Sequence, residues 1–438
     1  MEGDPIFSLV RRTPGGVERT RPGVKRIVEG MVGDALELAR ETPAPLAERR
    51  FRIGDYDWCE PDYRQILRWA TALELPPEEV LVRLFFDESV RESEYVAGLF
   101  AECRQSDFVD GKLKKIRWSF DRLPLTDFQW EPGLQITHAA FYNSQPQIQR
   151  LSLVLPTLTH LFCHHLCLPE LDLTQVPLLT TLECCGDDSG GNKGNKLTEL
   201  NLTPVPRLTT LKCSWNELTE LDLTPVPLLT ELECSPNELT ELDLTPVPLL
   251  TRLVCSSNQL TNLDLTPVPL LTFLFCGLNP LTELDLTPVP LLTRLDCGWS
   301  PLTELDLTPV PLLTDLCCWR SQLTELDLSS VPLLEYLECS WNQLTELDLT
   351  PVPLLTGLNC PSNQLTELDL TPVPLLTDLR CWSNHLTELD LASVPLLETL
   401  GCSHNSIGAL DVRHLRHLAD LEYDRNTTVF LQRPDQHF

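Results

Sequence analysis

From about residue 151 the apolar residues recur in a fixed 21-residue frame. One unit reads Leu250-Thr-Arg-Leu253-Val-Cys255-Ser-Ser-Asn258-Gln-Leu260 and continues Thr261-Asn-Leu263-Asp-Leu265-Thr-Pro267-Val-Pro269-Leu270. In its first part the alternation has period two. Leu253 and Cys255 point one way and Arg252, Val254 and Ser256 the other, as in a short strand with one buried face. Asn258 stands at the turn that follows, where its amide can bond loop backbone. The return segment Thr-Pro-Val-Pro-Leu-Leu carries two prolines two residues apart, which excludes a helix. That side is therefore predicted to be extended or polyproline-like, with room for a second short ladder at Leu-Asp-Leu.

The cysteine position recurs at 163 and 184 and then every 21 residues as Cys213, Cys234, Cys255, Cys276, Cys297, Cys318, Cys339, Cys360, Cys381 and Cys402. The longer step from 184 to 213 holds an insertion within residues 186–196. Stacking the units predicts a file of buried thiols and, behind it, an asparagine ladder at Asn216, Asn237, Asn258, Asn279, Asn342, Asn363, Asn384 and Asn405. A single unit cannot bury its own apolar face, so the array needs neighbours on both sides and caps at its ends.

The first quarter of the chain does not repeat. Residues 1–24 are predicted to run irregularly, and 25–125 to form a small α+β cap. Helical spacing occurs at Val24–Glu41, Pro61–Glu74 and Pro77–Phe86. Asp57 or Glu60 begins the second, and Glu78 and Glu79 suit the positive end of the third. Asp110-Gly111 places a turn between the strand-like runs Phe108-Val109 and Lys112-Leu113. The solenoid is assigned to 126–427, with Arg413–Arg433 as a degenerate closing unit and 428–438 as a tail.

The repeat resembles the leucine-rich-repeat family, pattern L-x-x-L-x-(L/C)-x-x-N-x-L, in its short internalin-like bacterial class, over about residues 150–427. The resemblance implies a curved parallel β-sheet with an extended Pro-rich convex side, and a concave sheet face that binds proteins or peptides. No export signal and no surface anchor are expected, and these, with the Cys in the ladder position, are read as departures from the internalin pattern.

Charge sharpens the picture. The net charge is −30. Residues 151–438 carry 12 Lys/Arg against 38 Asp/Glu, so the repeats are predicted to repel phosphate backbones, and no nucleic-acid partner is expected. The amino terminus lacks an apolar h-region, and no run approaches 18 apolar residues. The expectation is a cytoplasmic, bacterial protein with no membrane partner and reduced thiols.

Candidate chemistry is sparse. The cysteine file suits Cu(I) or Zn only as thiolates, and free Cys also behaves as a small buried hydrophobe. Packing is the preferred reading, with no metal and no cofactor. Cys163, His164, His165 and Cys167 form the one His/Cys cluster, and Cys185 and Cys317 are expected to point outward. The columns Glu170 to Glu388 and Asp172 to Asp411 form an acidic strip, read as a solvated edge whose Asp accepts hydrogen bonds from the Thr and backbone after it. Nothing resembles a hydrolase elbow, P-loop, zincin or dinucleotide motif, so no enzyme and no catalytic residue are expected.

Function is placed on the outward positions around Leu-x-Cys, which differ from unit to unit while the return segment is copied. They carry Trp215, Arg252, Phe273, Phe275, Arg294, Trp299, Trp319, Arg320, Tyr336, Trp341, Arg380 and Trp382. Aromatics and Arg dominate binding hot spots, so these residues are the expected partner-binding face. Other classes remain open: a metal or redox protein using the Cys file, and an effector or immune-type receptor acting through its amino-terminal domain.

Overall fold

The computed structural model describes residues 50–53, 56–77, 80, 84, 108–109, 112–120, 124, 129–142, 150–164, 166–186 and 195–431. The sequence expectations for residues 1–24, for Val24–Glu41, for most of Pro77–Phe86 and for the Asp110-Gly111 turn fall outside these residues. Two antiparallel pairs precede the solenoid, β1 (Arg50–Ile53) with β2 (Tyr56–Cys59) and β3 (Phe108–Val109) with β4 (Lys112–Leu113). Between them lies helix α1 (Glu60–Ala72), with Pro61 in its first turn beside Glu60 and Asp62. Cys59 is its N-cap and makes no side-chain cap bond. Asp57, an expected starter, is a strand residue of β2 instead.

A fifteen-stranded sheet then runs from β5 (Lys115–Ser119), β6 (His138–Tyr142) and β7 (His160–His164) through eleven three-residue strands, β8 (Thr181–Glu183) to β18 (Thr399–Gly401), and ends at β20 (Asp420–Glu422). The sheet begins at Lys115, ahead of the boundary drawn at 126. Neighbours pair in parallel, and from β9 (Thr210–Lys212) onward with a constant shift, as in Leu232↔Leu253 and Leu253↔Leu274, while the insertion lengthens the step Leu182↔Leu211. From β8 to β18 each strand centres on its Leu, and the ladder cysteine follows it. Leu253, Cys255, Leu260, Val268 and Leu271 are all buried.

Three side-chain ladders hold the units together. Each ladder Asn donates to two cysteine carbonyls and accepts from a leucine one unit back. Asn258 Nδ2 reaches Cys234 O and Cys255 O at 3.1 Å, and its Oδ1 takes the Leu239 N–H at 3.0 Å. Inside the insertion Asn195 does the same work, donating to Cys163 O and Cys184 O at 2.6 and 3.0 Å. The third ladder is threonine. Thr251 Oγ1 donates to Thr230 O, and Thr272 Oγ1 to Thr251 O, at 3.0 and 3.1 Å.

The Pro-rich side has no helix, as its prolines require, and it is folded into two successive turns within the expected extended run. The Val247 N–H reaches Leu244 O at 3.0 Å, and the Leu250 N–H reaches Val247 O at 3.1 Å, with Pro248 and Leu249 at the tip. Proline's fixed φ suits the first central position of such a turn. Among the described residues the second ladder at Leu-Asp-Leu forms only at the carboxyl end, where β19 (Ala409–Asp411) pairs with β21 (Thr428–Phe430).

Both ends of the array are closed by side chains. At the amino end Trp69 of α1 packs edge-on to Trp118 and Trp130, at centroid distances of 4.8 and 5.9 Å. Buried Asp62 accepts the Leu113 N–H at 2.9 Å, and burial raises its carboxyl above the ordinary range. At the carboxyl end Asp424 takes the His404 and Asn405 N–H groups at 2.8 and 3.0 Å, its carboxylate standing where earlier units offer a backbone carbonyl, as Ser403 O does to the Ser383 N–H. Among the described residues no helix is long and apolar enough to cross a membrane.

Candidate functional site

The expected partner-binding residues divide between two places. Arg252, Phe273, Phe275, Arg294, Tyr336 and Arg380 stand on strands, facing away from the core. The five tryptophans and Arg320 do not. Trp319 and Trp382 sit one residue past the ladder cysteine, and Trp215, Trp299, Arg320 and Trp341 two past it, along one edge of the sheet. The latter position is left-handed in unit after unit: φ is 59° at Trp215, 54° at Trp299, 53° at Arg320 and 56° at Trp341. Non-glycine residues adopt this region at a cost, and the turn into the Asn ladder imposes it.

Along that edge the side chains form a continuous row. Trp299 and Trp319 meet edge-on at 5.2 Å. The Arg320 guanidinium lies 3.8 Å from the Trp299 ring centroid and 5.9 Å from that of Trp341. Trp341 in turn meets Trp382 at 6.2 Å. Gly298 makes room for this: a Cβ there would collide with the Trp319 ring. Part of the aromatic surface is thus spent on mutual packing, yet Trp299 stays 39% and Trp341 53% exposed. Among the described residues Arg320 forms no ion pair. The strand-borne arginines are engaged: Arg252 with Glu231 and Glu233, Arg294 with Asp315, Arg380 with Asp378. Arg252 also covers the Phe273 ring at 3.7 Å.

Beside this row runs a polar column, Asp296, Cys317, Glu338 and Asn359 on successive strands, of which the sequence pointed only to Cys317. Burial raises the Asp296 and Glu338 carboxyls, while the Gly298 and Ser340 N–H groups, each at 3.0 Å, oppose the rise. These acids escaped notice because the acidic strip of the return side dominates the composition. The asparagine ladder is also interrupted here. Ser300 and Ser321 occupy its places, and their buried hydroxyls have no hydrogen-bond partner.

The other candidates resolve into structure. Burial pushes the ladder thiols up, those of Cys234 and Cys360 to about 12, so they are protonated and poor ligands at neutral pH. The described cysteines are free thiols. Cys185, expected to point outward, is buried, because the following unit closes over it with Trp215 lying on Gly186. Cys317 is half-buried on the sheet face. His164 lies buried 3.5 Å from Glu183, and His165 is outside the described residues. Among the described residues no three His, Cys, Asp or Glu gather into a metal-holding group.

In the acidic strip each Asp accepts the N–H two residues on, as Asp285 does from Thr287 at 2.9 Å, and the Thr287 hydroxyl and N–H hold that carboxyl below its usual range. Asn201 occupies the same column and takes the Thr203 N–H at 3.0 Å. Asp285→Asn should therefore leave the melting temperature unchanged while Asp285→Ala lowers it. Equal losses in the two variants would show that the charge, not the acceptor, is what the position needs.

These features define a leucine-rich-repeat solenoid with a cysteine ladder and an asparagine ladder. Among solved structures the chain is similar to the functional domain of InlJ from Listeria monocytogenes, which includes a cysteine ladder. Identity is 39% over 63% of this chain and 60% of that one, with a TM-score of 0.57. The chain therefore spans three fifths of the InlJ chain it matches. It shares the fold of a leucine-rich-repeat protein of Leptospira interrogans, 20% identical over 84% of this chain and 94% of that one, TM-score 0.62. It shares it also with the ectodomain of the plant receptor kinase GASSHO1/SCHENGEN3 from Arabidopsis thaliana, solved with CASPARIAN STRIP INTEGRITY FACTOR 2. There identity is 21% over 68% of this chain and 41% of that one, TM-score 0.52. No protein-family model and no curated protein matches the sequence.

Proposed function

We propose that this chain is a non-enzymatic interaction scaffold that takes a protein or peptide partner on its sheet face, at the edge carrying Trp299, Trp319, Arg320, Trp341 and Trp382. The observation behind this reading is that row itself. Its residues interrupt an otherwise monotonous repeat at positions that do not enter the core, and their mutual packing still leaves Trp299 and Trp341 open to solvent. Half-open indoles and a stacked, unpaired guanidinium are what a hot spot presents. The plant receptor ectodomain solved in complex with its factor supports partner binding by a solenoid of this fold, and the internalin resemblance points the same way.

The partner is to be captured from lysate of the native host with the full chain as bait. Trp319→Ala with Trp341→Ala should weaken its binding by at least about 2 kcal/mol while barely moving the melting temperature. Normal binding by the double variant, or loss only on mutation of residues before 115, would reduce the solenoid to a spacer.

A further inference from the structure

The return side carries a second, constant surface. Each Val-Pro-Leu-Leu turn buries its Val and last Leu and lifts Pro and the first Leu to the tip. Nine leucines at 21-residue spacing, from Leu228 to Leu396, are thereby left between 39% and 46% exposed, each beside an exposed proline. The fold does not demand leucine there. Arg207 fills the same place one unit earlier, and its turn closes identically, the Leu208 N–H reaching Val205 O at 3.1 Å. His417 holds the position after Leu396. The apolar stripe is thus bounded by a basic residue and a histidine.

Eight steps at strand spacing make it about 38 Å long. Its open leucine and proline surface is on the order of 1,000 Å², against the roughly 800 Å² per partner that a stable two-fold interface buries. The return side is built of turns, not helices, each closed within its own unit as Leu250 N–H to Val247 O at 3.1 Å, so the stripe advances by one leucine per unit.

We propose that this stripe is a homodimer interface whose occupant is the same stripe of a second copy. A row of leucines repeating once per unit is matched in pitch by another such row, and the chain itself supplies one. Charge selects the arrangement. The continuous Glu and Asp columns lie on one side of the stripe, as with Glu304 and Asp306 ahead of Leu312, while the other side is mostly threonine, with Glu335 and Glu398 as its exposed acids. A two-fold axis across the stripe would lay the acidic columns of the two copies against each other. An axis along the stripe places them on opposite flanks, so the copies run parallel and each leucine meets its own counterpart. A slip of one unit would turn that axis into an open screw, so closure fixes the register.

The test uses the full chain in light scattering at increasing concentration. A dimer should form in the micromolar range or below and persist in high salt. Leu291→Lys, Leu312→Lys and Leu333→Lys together, at a position where Arg207 shows a long cation is accommodated, should give a folded monomer. With mild oxidant, Leu228→Cys alone and Leu312→Cys alone should each yield a linked dimer, compared with the parent chain oxidised in parallel. A wild-type chain that stays monomeric, or a triple variant that stays dimeric, overturns the proposal. Linking of Leu228→Cys only to Leu396→Cys in a mixture overturns the parallel arrangement. A monomer that sediments with lipid vesicles through the same leucines assigns the stripe to a membrane and overturns the second copy.

Discussion

Raising the pH above about 9 should unfold the solenoid far more steeply than it would a protein of ordinary cysteine content. The twelve ladder thiols, Cys163 and Cys184 and those from Cys213 to Cys402, are all raised above the ordinary value of 9.0. Desolvation is the largest cause in each, and Cys234, Cys360 and Cys402 reach about 12. The sign follows from linkage. Below the unfolded value both states hold the proton and the thiols cost nothing. Above it the unfolded chain releases protons that the folded chain keeps, so stability falls by about 1.4 kcal/mol per pH unit for each thiol until its folded value is reached. A dozen thiols acting together exhaust a reserve of about 5–15 kcal/mol within roughly one pH unit. Circular dichroism followed through an alkaline titration should show a sharp loss between pH 9 and about 11. Replacing Cys255, Cys276 and Cys297 by Val, close in volume and unable to ionise, should make the transition shallower and move it upward. A chain still native well above pH 11, or a transition indifferent to these replacements, would contradict the buried, protonated ladder.

What the sequence disclosed and what it withheld follow from the range of each signal. Leu253 and Cys255 facing inward, and Asn258 at the turn, are readable because one unit repeats and period two assigns the faces. Asn195 was readable too, since Asn195-Lys-Leu197 repeats the Asn-x-Leu of the ladder, but the insertion hid it. The threonine ladder was not readable. Thr251 looks like any surface threonine until the unit before it supplies the Thr230 carbonyl. The left-handed turn at Trp299 and Trp341 runs against local preference, which favours Gly or Asn, and only stacking enforces it. For that reason the tryptophans were assigned to the sheet face at large, when they line its edge.

The division of labour between the faces has a physical logic. Inward positions must fit copies of themselves a strand spacing away, so they settle on residues that stack well on their own kind: Leu on Leu, Cys on Cys, Asn bridging two units. Outward positions meet no such demand. They are free to differ, and only there do the indoles and Arg320 interrupt the pattern. Where they are densest the inner ladder is also broken, at Ser300 and Ser321.

That break makes the cost of an asparagine measurable. Asn258→Ala should lower stability by about 2–4 kcal/mol, since it leaves the Leu239 N–H buried without its acceptor and removes donors from Cys234 O and Cys255 O. The carbonyls keep other ladder contacts, Asn237 on Cys234 O at 2.9 Å and Asn279 on Cys255 O at 3.0 Å, which holds the loss below the sum of three orphaned groups. The reverse change should gain. Ser300→Asn offers the missing acceptor to the Leu281 N–H and a donor to Cys297 O, whose two ladder asparagines are both serine, and it should add about 1–2 kcal/mol. Urea unfolding monitored by circular dichroism reads both variants on one scale. The ladder's energetic role fails if Asn258→Ala unfolds with the parent midpoint. If Asn258→Ala falls but Ser300→Asn also falls, the space at 300 is shaped by Trp299 and Trp319 for the serine, and the break belongs to the aromatic edge.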